Sequence, residues 1–435
     1  MRCLIRKAGI FTVSSRLALQ NEAMLKRLLV TVFIAVSGTV NASPALDLFN
    51  QATYYIASRY NGFSAVQLET LSAQFRPQLD TACATQPQTC PYSAAVPIVQ
   101  QMLETISDGH SYLLLAAQRD EVQRQRSGLG PTSPRLGIAT REVIGSADRL
   151  IADVWEDSPA AAVGLQRGDR LVSVNGQTSA NLGQDFQPSI ARAVSSGSSV
   201  RLGVQRGAGL LEVVVRGAVL AARLPSFKTL SPSGVGYIRI PSFDVIGKVA
   251  ATVHDLVARA KRMGLTRLVV DVRDNPGGVD FEVLASAGAF VERTGFTQEY
   301  RDNKRTQVVQ NGTVLLSNGS VVYATPKPAL FSGRIAVLVN RQSYSGAEYL
   351  AQFVQDAGVG VIVGEATGGL GNTGSTEFNL PDGSALVLTI FKSLRLDGSY
   401  LPTRVTPDEL VPDELEMQSQ SGRDVALQRA LELLR

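Results

Sequence analysis

Alternating strands and helices in the second half of this chain constrain its fold more than any other feature. Apolar, β-branched runs typical of buried strands alternate with segments of helical periodicity. The predicted strands are residues 235–240, 267–272, 335–339 and 361–363. The predicted helices are residues 244–262, 281–290 and 348–355. Strands joined by helices lie parallel in one sheet with functional loops at their ends, so the pattern predicts an α/β core.

The start of the chain has the pattern of an export signal. Met24 begins a basic stretch, residues 28–40 are apolar but too short to span a bilayer, and small residues follow up to Ala42. We predict that residues 1–42 are a leader and signal peptide, and that translation begins at Met24 rather than Met1. The protein would then be periplasmic or secreted, without stable membrane insertion after cleavage. The alternative is that the apolar run stays as a membrane anchor.

Composition and cysteine usage narrow the class of function. The net charge of +4 is spread out, and the basic clusters are short and lack interleaved aromatics, which argues against nucleic-acid binding. Cys3 leaves with the leader, and we expect Cys83 and Cys90 to form a disulfide in an oxidising compartment. A zinc site is disfavoured because only His110 and His254 could join the two remaining cysteines. No metal site is predicted.

The mature chain divides into three units by pattern. Residues 43–130 form a predicted N-terminal helical domain, with helical periodicity over residues 45–76 and 96–106. Residues 131–222 are β-rich, and residues 223–435 hold the α/β core. The polar stretch before the β-rich unit is either a linker or an exposed helix.

The β-rich unit resembles a PDZ domain of the bacterial protease type. The resemblance rests on Leu-Gly-Ile at 136–138, on a short helix capped by Ser158, and on Gly-Asp-Arg-Leu-Val-Ser-Val-Asn-Gly at 168–176. It implies that a peptide adds as a strand beside this unit, and that its C-terminal carboxylate binds the N–H groups of Leu136, Gly137 and Ile138. The alternative is an intramolecular spacer that binds nothing.

Ser345 is the candidate nucleophile, because it lies at a predicted strand-to-helix turn. Such a turn exposes the hydroxyl, and the helix N-terminus supplies free N–H groups. The competing interpretation is structural. Ser345 and Glu348 also fit a capping box, in which the serine only satisfies N–H groups at the helix start.

A PDZ-like unit joined to this core resembles the C-terminal processing, or tail-specific, serine peptidases. The motifs that carry the resemblance are residues 236–243, 271–278, 339–348, 363–369 and 405–408. The resemblance implies a ClpP/crotonase-like α/β peptidase core in which Ser345 is the nucleophile. The N–H groups of Gly278 and Gly346 would stabilise the oxyanion. Ser343 is the second choice for the nucleophile, and the alternative for residues 275–278 is an ordinary turn.

The general base departs from the tail-specific pattern, because Leu370 stands where that branch has a lysine. Lys392 is the nearest later lysine, and nothing in its spacing recommends it. Asp-Gly-His-Ser at 108–111 is instead similar to the tricorn-core and retinoid-binding-protein-like branch, which implies His110 as the base. The alternative is a histidine hydrogen-bonded at a helix end. His254 is interpreted as a surface residue.

A third catalytic group is not evident, since the acid expected from the tricorn-like branch is missing. Asp397 and Asp408 are nearby acids, and neither is assigned. We therefore predict an exported serine endopeptidase that cleaves unfolded or C-terminally exposed polypeptides without a metal or organic cofactor. The alternative is a non-catalytic protein that binds peptides or apolar ligands on a degenerate peptidase scaffold.

Overall fold

The protein is described by a computed structural model over residues 42–412 and 414–435. Its helices are α1 Pro44–Arg59, α2 Leu68–Ala82, α3 Tyr92–Ile106, α4 Ala116–Arg126, α5 Pro159–Ala162, α6 Ser179–Leu182, α7 Phe186–Ser195, α8 Val249–Arg262, α9 Asp280–Ala287, α10 Gly346–Asp356, α11 Glu414–Ser421 and α12 Val425–Leu433. None of the helices in these two ranges is long and apolar enough to cross a membrane. The predicted leader, apart from Ala42, lies outside the described residues.

The strands fall into three sheets. In chain order they are β1 Tyr112–Leu114, β2 Ile138–Glu142, β3 Arg149–Val154, β4 Arg170–Val174, β5 Gln177–Thr178, β6 Ser199–Arg206, β7 Gly209–Arg216, β8 Ser226–Leu230, β9 Val235–Arg239, β10 Arg267–Asp271, β11 Arg293–Glu299, β12 Lys304–Gln310, β13 Thr313–Leu316, β14 Val321–Ala324, β15 Arg334–Val339, β16 Gly360–Gly364, β17 Thr373–Asn379, β18 Ala385–Leu394 and β19 Glu409–Leu410.

The sheet at the centre of the molecule confirms the predicted α/β core. Its strand order is β19-β16-β15-β10-β9-β8, and all neighbours are parallel except β8 and β9. Helices α8, α9 and α10 bury their apolar faces with residues of this sheet in the largest hydrophobic cluster. Ala426 and Ala430 of α12 pack with the other face. Buried on both faces, these strands are nearly continuous apolar runs, as expected for a parallel sheet.

A second sheet joins the N-terminal helices to the core. Its order is β1-β18-β11-β12-β13-β14, with β17 also pairing β18, and every pair is antiparallel. Helices α1 to α3 share an apolar cluster with Leu386 and Leu388 of β18. Tyr112 of β1 pairs with Val387 of β18, and this pairing places the loop just before β1 next to the second sheet. This region also contains the predicted disulfide between Cys83 and Cys90.

The β-rich unit forms a sheet of its own, in the order β2-β3-β4-β6-β7, with β5 pairing β4. Phe186, Ile190 and Val194 of α7 pack against it. Ion pairs attach this unit to the core: Arg141 and Arg167 both bind Asp274, with N–O distances of 2.6 and 2.8 Å. The boundaries predicted from the sequence for the three units stay predictions.

Helix α8 begins five residues later than the sequence pattern predicts. Residues before Val249 are held in another conformation, because Phe243 pairs with Gly278 in a parallel bridge. Gly247 then adopts a φ of +75°. The N–H groups of Gly247 and Ala250 donate to the carboxylate of Glu282 on α9, which therefore caps α8 from a neighbouring helix. Helical periodicity cannot reveal a cap that comes from a distant residue.

The interpretation of His254 as a surface residue is wrong. Its side chain is fully buried on α8, between α9 and the segment before β15. Nε2 lies 3.0 Å from the carbonyl oxygen of Ala285, and Nδ1 accepts the Ala329 N–H at 2.9 Å. A carbonyl only accepts, so Nε2 carries the proton and both ring nitrogens are satisfied. Burial lowers the pKa of His254, consistent with a neutral structural imidazole.

Candidate active site

Ser345 lies between the end of β15 and the first residue of α10, in a backbone conformation unlike that of an ordinary helix cap. Its φ is +48° and its ψ is −112°, whereas a usual N-cap residue is extended. A non-glycine residue with positive φ is strained and persists only where its surroundings hold it. The Ser345 N–H donates to Glu348 Oε2 at 2.8 Å, which fixes the turn from within the helix. Its side chain lines the large cleft of the molecule.

The second-choice serine has a different environment. Ser343 is fully buried, and its hydroxyl donates to the Val272 carbonyl at 2.9 Å and accepts the Asn340 N–H at 3.0 Å. These bonds hold the turn after β15 against the end of β10. Ser343 therefore stabilises the turn that presents Ser345.

The loops that carry the two candidate oxyanion donors, Gly278 and Gly346, pack against each other beside Ser345. Gly277 packs so closely on it that a Cβ atom there would lie 2.7 Å from the Gly346 nitrogen and 2.8 Å from the Ser345 Cβ. Gly278 has a φ of +139° and approaches the backbone of Phe243, so both positions require glycine. Within residues 42–412 and 414–435, neither the Gly278 nor the Gly346 N–H donates a hydrogen bond. Both donors are therefore available for a developing oxyanion.

Glu348 organises the loops around the nucleophile. This buried carboxylate accepts the N–H groups of Ser345, Gly369 and Leu370 at 2.7 to 2.9 Å, and the hydroxyl of Thr367 at 2.5 Å. Burial raises its pKa, and the same hydrogen bonds oppose that rise. The glutamate thus connects the nucleophile turn to the loop that contains Leu370.

His110 reaches the cleft from the loop before β1. Asp108 shapes that loop by accepting the N–H groups of His110 and Ser111, at 3.1 and 2.8 Å, and the hydroxyl of Thr389. His110 Nδ1 lies 2.9 Å from the hydroxyl oxygen of Thr373 at the start of β17. Burial lowers the pKa of His110 to about 4, against the opposing charge of Asp108. The imidazole is therefore neutral at pH 7 and able to accept a proton.

The other candidate base and the two unassigned acids lie elsewhere. The Lys392 ammonium sits 4.7 Å from the centre of the Phe63 ring. Asp408 accepts the N–H of Ile362, and Asp397 accepts the N–H and hydroxyl of Ser399 in a surface turn. In the described ranges, none of the three contacts His110.

Leu370, which stands where the tail-specific pattern has a lysine, lines the cleft. A Cβ at Gly109 would lie 3.0 Å from the Leu370 Cδ2 atom, so the leucine packs against the loop that carries His110. Its backbone N–H binds Glu348 at 2.7 Å. The apolar side chain of Leu370 thus packs against the loop that carries His110.

One cleft of about 1070 Å³ brings the predicted catalytic residues together. Ser345, His110, Gly278 and Gly346 all line it, as does Thr373. Apolar side chains from the core form much of the remaining wall, namely Val283, Phe296, Tyr349, Ile390 and Phe391. Thr373 was not identified from the sequence. Its contact with His110 depends on β17 lying beside the loop before β1, and no local motif marks it.

The predicted peptide-binding residues lie away from this cleft. The carbonyl oxygens of Leu136 and Gly137 accept N–H groups from Ala160 and Trp155, at 3.0 and 2.9 Å. Ile138 begins β2, an edge strand whose only partner in its sheet is β3. Across the part of the chain that the structure describes, no group of three or more histidine, cysteine, aspartate or glutamate side chains could hold a metal ion.

Comparison with known proteins places this geometry in a family. Residues 234–411 match Peptidase family S41, and residues 150–206 match the PDZ domain. The chain is 30% identical over 284 residues to a carboxyl-terminal-processing protease of Picosynechococcus sp., covering 64% of each chain. It is 25% identical over 321 residues to a Staphylococcus aureus protein named "Probable CtpA-like serine protease", covering 74% of this chain and 60% of that one.

A solved structure of a photosystem II D1 C-terminal processing protease has the same fold, with a TM-score of 0.52 and 19% identity. The similarity covers 87% of this chain and 97% of that chain. The chain spans a little under two thirds of the length of the two curated relatives. With the sheet order and the turn at Ser345, these matches assign residues 234–411 to peptidase family S41 and residues 150–206 to the PDZ domain.

Proposed function

We propose that this protein is an exported serine endopeptidase that cleaves unfolded or C-terminally exposed polypeptides. One observation carries the proposal. A serine in a strained turn shares a cleft with a neutral histidine and with two backbone N–H groups that have no acceptor in the described residues. A turn of this kind is how several hydrolase folds expose a nucleophile. A binding protein has no need of all three parts.

The mechanism follows from the roles of these groups. Ser345 Oγ attacks the scissile carbonyl while His110 Nε2 removes its proton, and the Gly278 and Gly346 N–H groups bind the oxyanion. When the tetrahedral intermediate collapses, the C–N bond breaks and His110 gives its proton to the leaving amine. Water then attacks the acyl-enzyme with His110 again as the base, which releases the carboxylic acid and restores Ser345.

The PDZ domain supplies a site for the substrate tail in this proposal. The free edge of β2 suits an added peptide strand, and Leu136, Gly137 and Ile138 precede or begin that strand. Export is supported by the apolar stretch before Ala42 and by the disulfide between Cys83 and Cys90. Disulfides persist in oxidising compartments such as the periplasm.

Casein hydrolysis by the mature protein, beginning at Ser43, tests the proposal. Wild type, Ser345→Ala and His110→Ala are compared from pH 5 to 9, with circular dichroism to establish that each is folded. We expect wild type to cleave and both variants to lose at least about a hundredfold in rate, since nucleophile and base act as a unit. Loss in Ser345→Ala alone would show that another residue is the base.

The rival function is a non-catalytic peptide-binding protein. Two observations favour it: Leu370 stands in the lysine position, and within the described residues no carboxylate binds the His110 ring. A folded wild-type protein that cleaves nothing across this pH range, and that a serine-directed covalent probe does not label, would establish the rival.

A further inference from the structure

The imidazole of His110 has a hydroxyl where serine hydrolases usually have a carboxylate. Nδ1 lies 2.9 Å from Thr373 Oγ1, and both side chains are more than nine-tenths buried. Asp108, the nearest acid in sequence, uses its oxygens for two backbone N–H groups and the hydroxyls of Ser111 and Thr389. Among the described residues, Thr373 is the side chain that hydrogen-bonds the ring.

Thr373 is itself held by the helix that begins after the nucleophile. The Tyr349 hydroxyl on α10 donates to the Thr373 carbonyl at 3.1 Å. The Tyr349 N–H donates to the Ser345 carbonyl at 3.0 Å. A continuous series of contacts therefore runs from the nucleophile through Tyr349 and Thr373 to the ring of His110. This series fixes the position of the base relative to the nucleophile.

We propose that Thr373 is the positioning residue of His110 and takes the place of the missing acid. The proposal rests on the function proposed above. When the hydroxyl accepts a hydrogen bond from Nδ1–H, the ring is in the tautomer that a general base needs, with the Nε2 lone pair free for the proton of Ser345. Without this contact, no hydrogen bond to a residue in 42–412 or 414–435 would fix the rotation or the tautomer of the buried ring.

A hydroxyl performs this role less completely than a carboxylate. It can donate as well as accept, so it does not force one tautomer, and it carries no charge to stabilise the imidazolium formed during reaction. His254 shows the contrast, because the carbonyl oxygen of Ala285 can only accept and therefore requires a proton on Nε2. The structure therefore assigns Thr373 to orientation and not to charge stabilisation.

Three substitutions at this position separate orientation from packing. Thr373→Val keeps the shape and removes the hydroxyl, Thr373→Ser keeps the hydroxyl, and Thr373→Asp supplies a carboxylate. Thr229→Val is the matched control, since Thr229 is exposed on β8 and does not line the cleft. Each variant is assayed for kcat and KM on a fluorogenic peptide derived from a cleaved casein site.

We expect Thr373→Val to lower kcat by roughly tenfold to a hundredfold with little change in KM, because orientation of the base matters only in the chemical step. Thr373→Ser should restore kcat to within about threefold of wild type. In Thr373→Asp the acid limb of the kcat/KM profile should move upward by about one to three pH units. If Thr373 had only a structural role, the kcat loss in Thr373→Val, its recovery in Thr373→Ser and the shifted acid limb in Thr373→Asp would not occur together.

A readout independent of activity uses the two histidines of the chain. Protein labelled with ¹⁵N-histidine gives two imidazole spin systems, and a His110→Gln variant assigns them. The Nδ1 and Nε2 shifts of His110 should change in Thr373→Val and stay constant in Thr229→Val, while His254 is unaffected in both. Unchanged His110 shifts and unchanged kcat in a folded Thr373→Val protein would overturn the proposal.

Failure of this inference is distinguishable from failure of the proposed function. If wild type cleaves nothing, the peptidase function fails, and altered His110 shifts in Thr373→Val would still establish the contact. If wild type cleaves and Thr373→Val matches it, the positioning role fails while the peptidase function stands.

Discussion

At the scale of single residues, the environment of His110 decides how this site responds to pH. Burial removes water from the imidazole, and the charge of Asp108 compensates only in part, so the pKa falls to about 4. The histidine therefore stays unprotonated well into the acid range. Its basicity is correspondingly low, which is expected to make proton abstraction slower than in a site with a carboxylate partner.

The lowered pKa of His110 predicts an acid-sensitive fold. Between pH 6.5 and about 4 the unfolded chain binds a proton at this residue that the folded chain does not, so stability falls as the pH falls through this window. The expected contribution is roughly 3 kcal/mol, from 1.36 kcal/mol per pKa unit. Urea unfolding of wild type and His110→Gln at several pH values measures it.

His110→Gln retains His254 and every carboxylate, so the difference between the two proteins isolates His110. The variant should lose less unfolding free energy than wild type on going from pH 7 to pH 4. Parallel stability curves for the two proteins over this range would contradict the assignment.

At the scale of elements, the site depends on two loops at the carboxyl ends of β10 and β15. The Tyr344 N–H donates to the Asn275 carbonyl at 2.9 Å, and Asn275 Oδ1 accepts the Gly277 N–H at 2.7 Å. Loops that follow neighbouring parallel strands meet at one edge of the sheet. Here that edge brings Gly277, which precedes Gly278, directly against the nucleophile turn.

Gly277→Ala is expected to disable the site more than it destabilises the fold. The new Cβ would overlap the Gly346 nitrogen and the Ser345 Cβ, so the turn must shift and carry the oxyanion donors with it. We expect kcat to fall at least about a hundredfold, the magnitude associated with loss of one oxyanion donor. Peptide hydrolysis and thermal unfolding are measured on the same preparation.

Gly264→Ala is the control for backbone strain. Gly264 ends α8 with a φ of +70°, and a Cβ there meets nothing within 4 Å. This variant should lose about 1 kcal/mol of stability and keep wild-type kcat. Equal kcat for the two glycine variants would show that the contact between the loops is unimportant.

At the scale of the whole molecule, a buried ionic cluster connects the PDZ domain, the core and the C-terminal helices. Arg273 binds Asp271, Glu414 and Asp424 at 2.7 to 3.1 Å, and it is almost completely buried. Its neighbour Asp274 binds Arg167 of the PDZ domain. Burial raises the pKa of Asp274, but the neighbouring arginines, Arg167 above all, outweigh it and lower that pKa to about 2, so Asp274 is ionised at neutral pH.

Arg273→Met is expected to destabilise the protein by about 3–5 kcal/mol, because it leaves three buried carboxylates without their shared cation. Urea unfolding followed by tryptophan fluorescence and circular dichroism measures the loss. Arg76→Met is the control, since the Arg76–Asp80 pair is exposed and worth under about 1 kcal/mol. Similar losses in both variants would mean that the cluster adds little to stability.

The parts of this molecule that were predictable from sequence are those determined by local pattern. Apolar runs and helical periodicity predicted the α/β core, and the spacing around Ser345 predicted a strand-to-helix turn, because neighbouring residues determine both. His254 was misread for the converse reason. Charged neighbours on α8 suggested solvent, whereas the contacts that satisfy its ring come from Ala285 and Ala329, far along the chain.

Thr373 was beyond the reach of any local pattern. A threonine at the start of a strand is ordinary, and it gains a role only because β18 pairs with β17 on one side and β1 on the other. Asp397 and Asp408 are close in sequence to the place where an acid was expected, and in the structure they accept hydrogen bonds from Ser399 and Ile362 respectively.

The contact between His110 and Thr373 joins residues 263 positions apart. Contacts that close so long a segment form late, since the chain between them must first be ordered. While the protein is being synthesised, a chain that has not yet reached β17 can contain the nucleophile turn and still lack a held base. We therefore expect hydrolytic competence to appear only after β17 has been synthesised and has paired with β18.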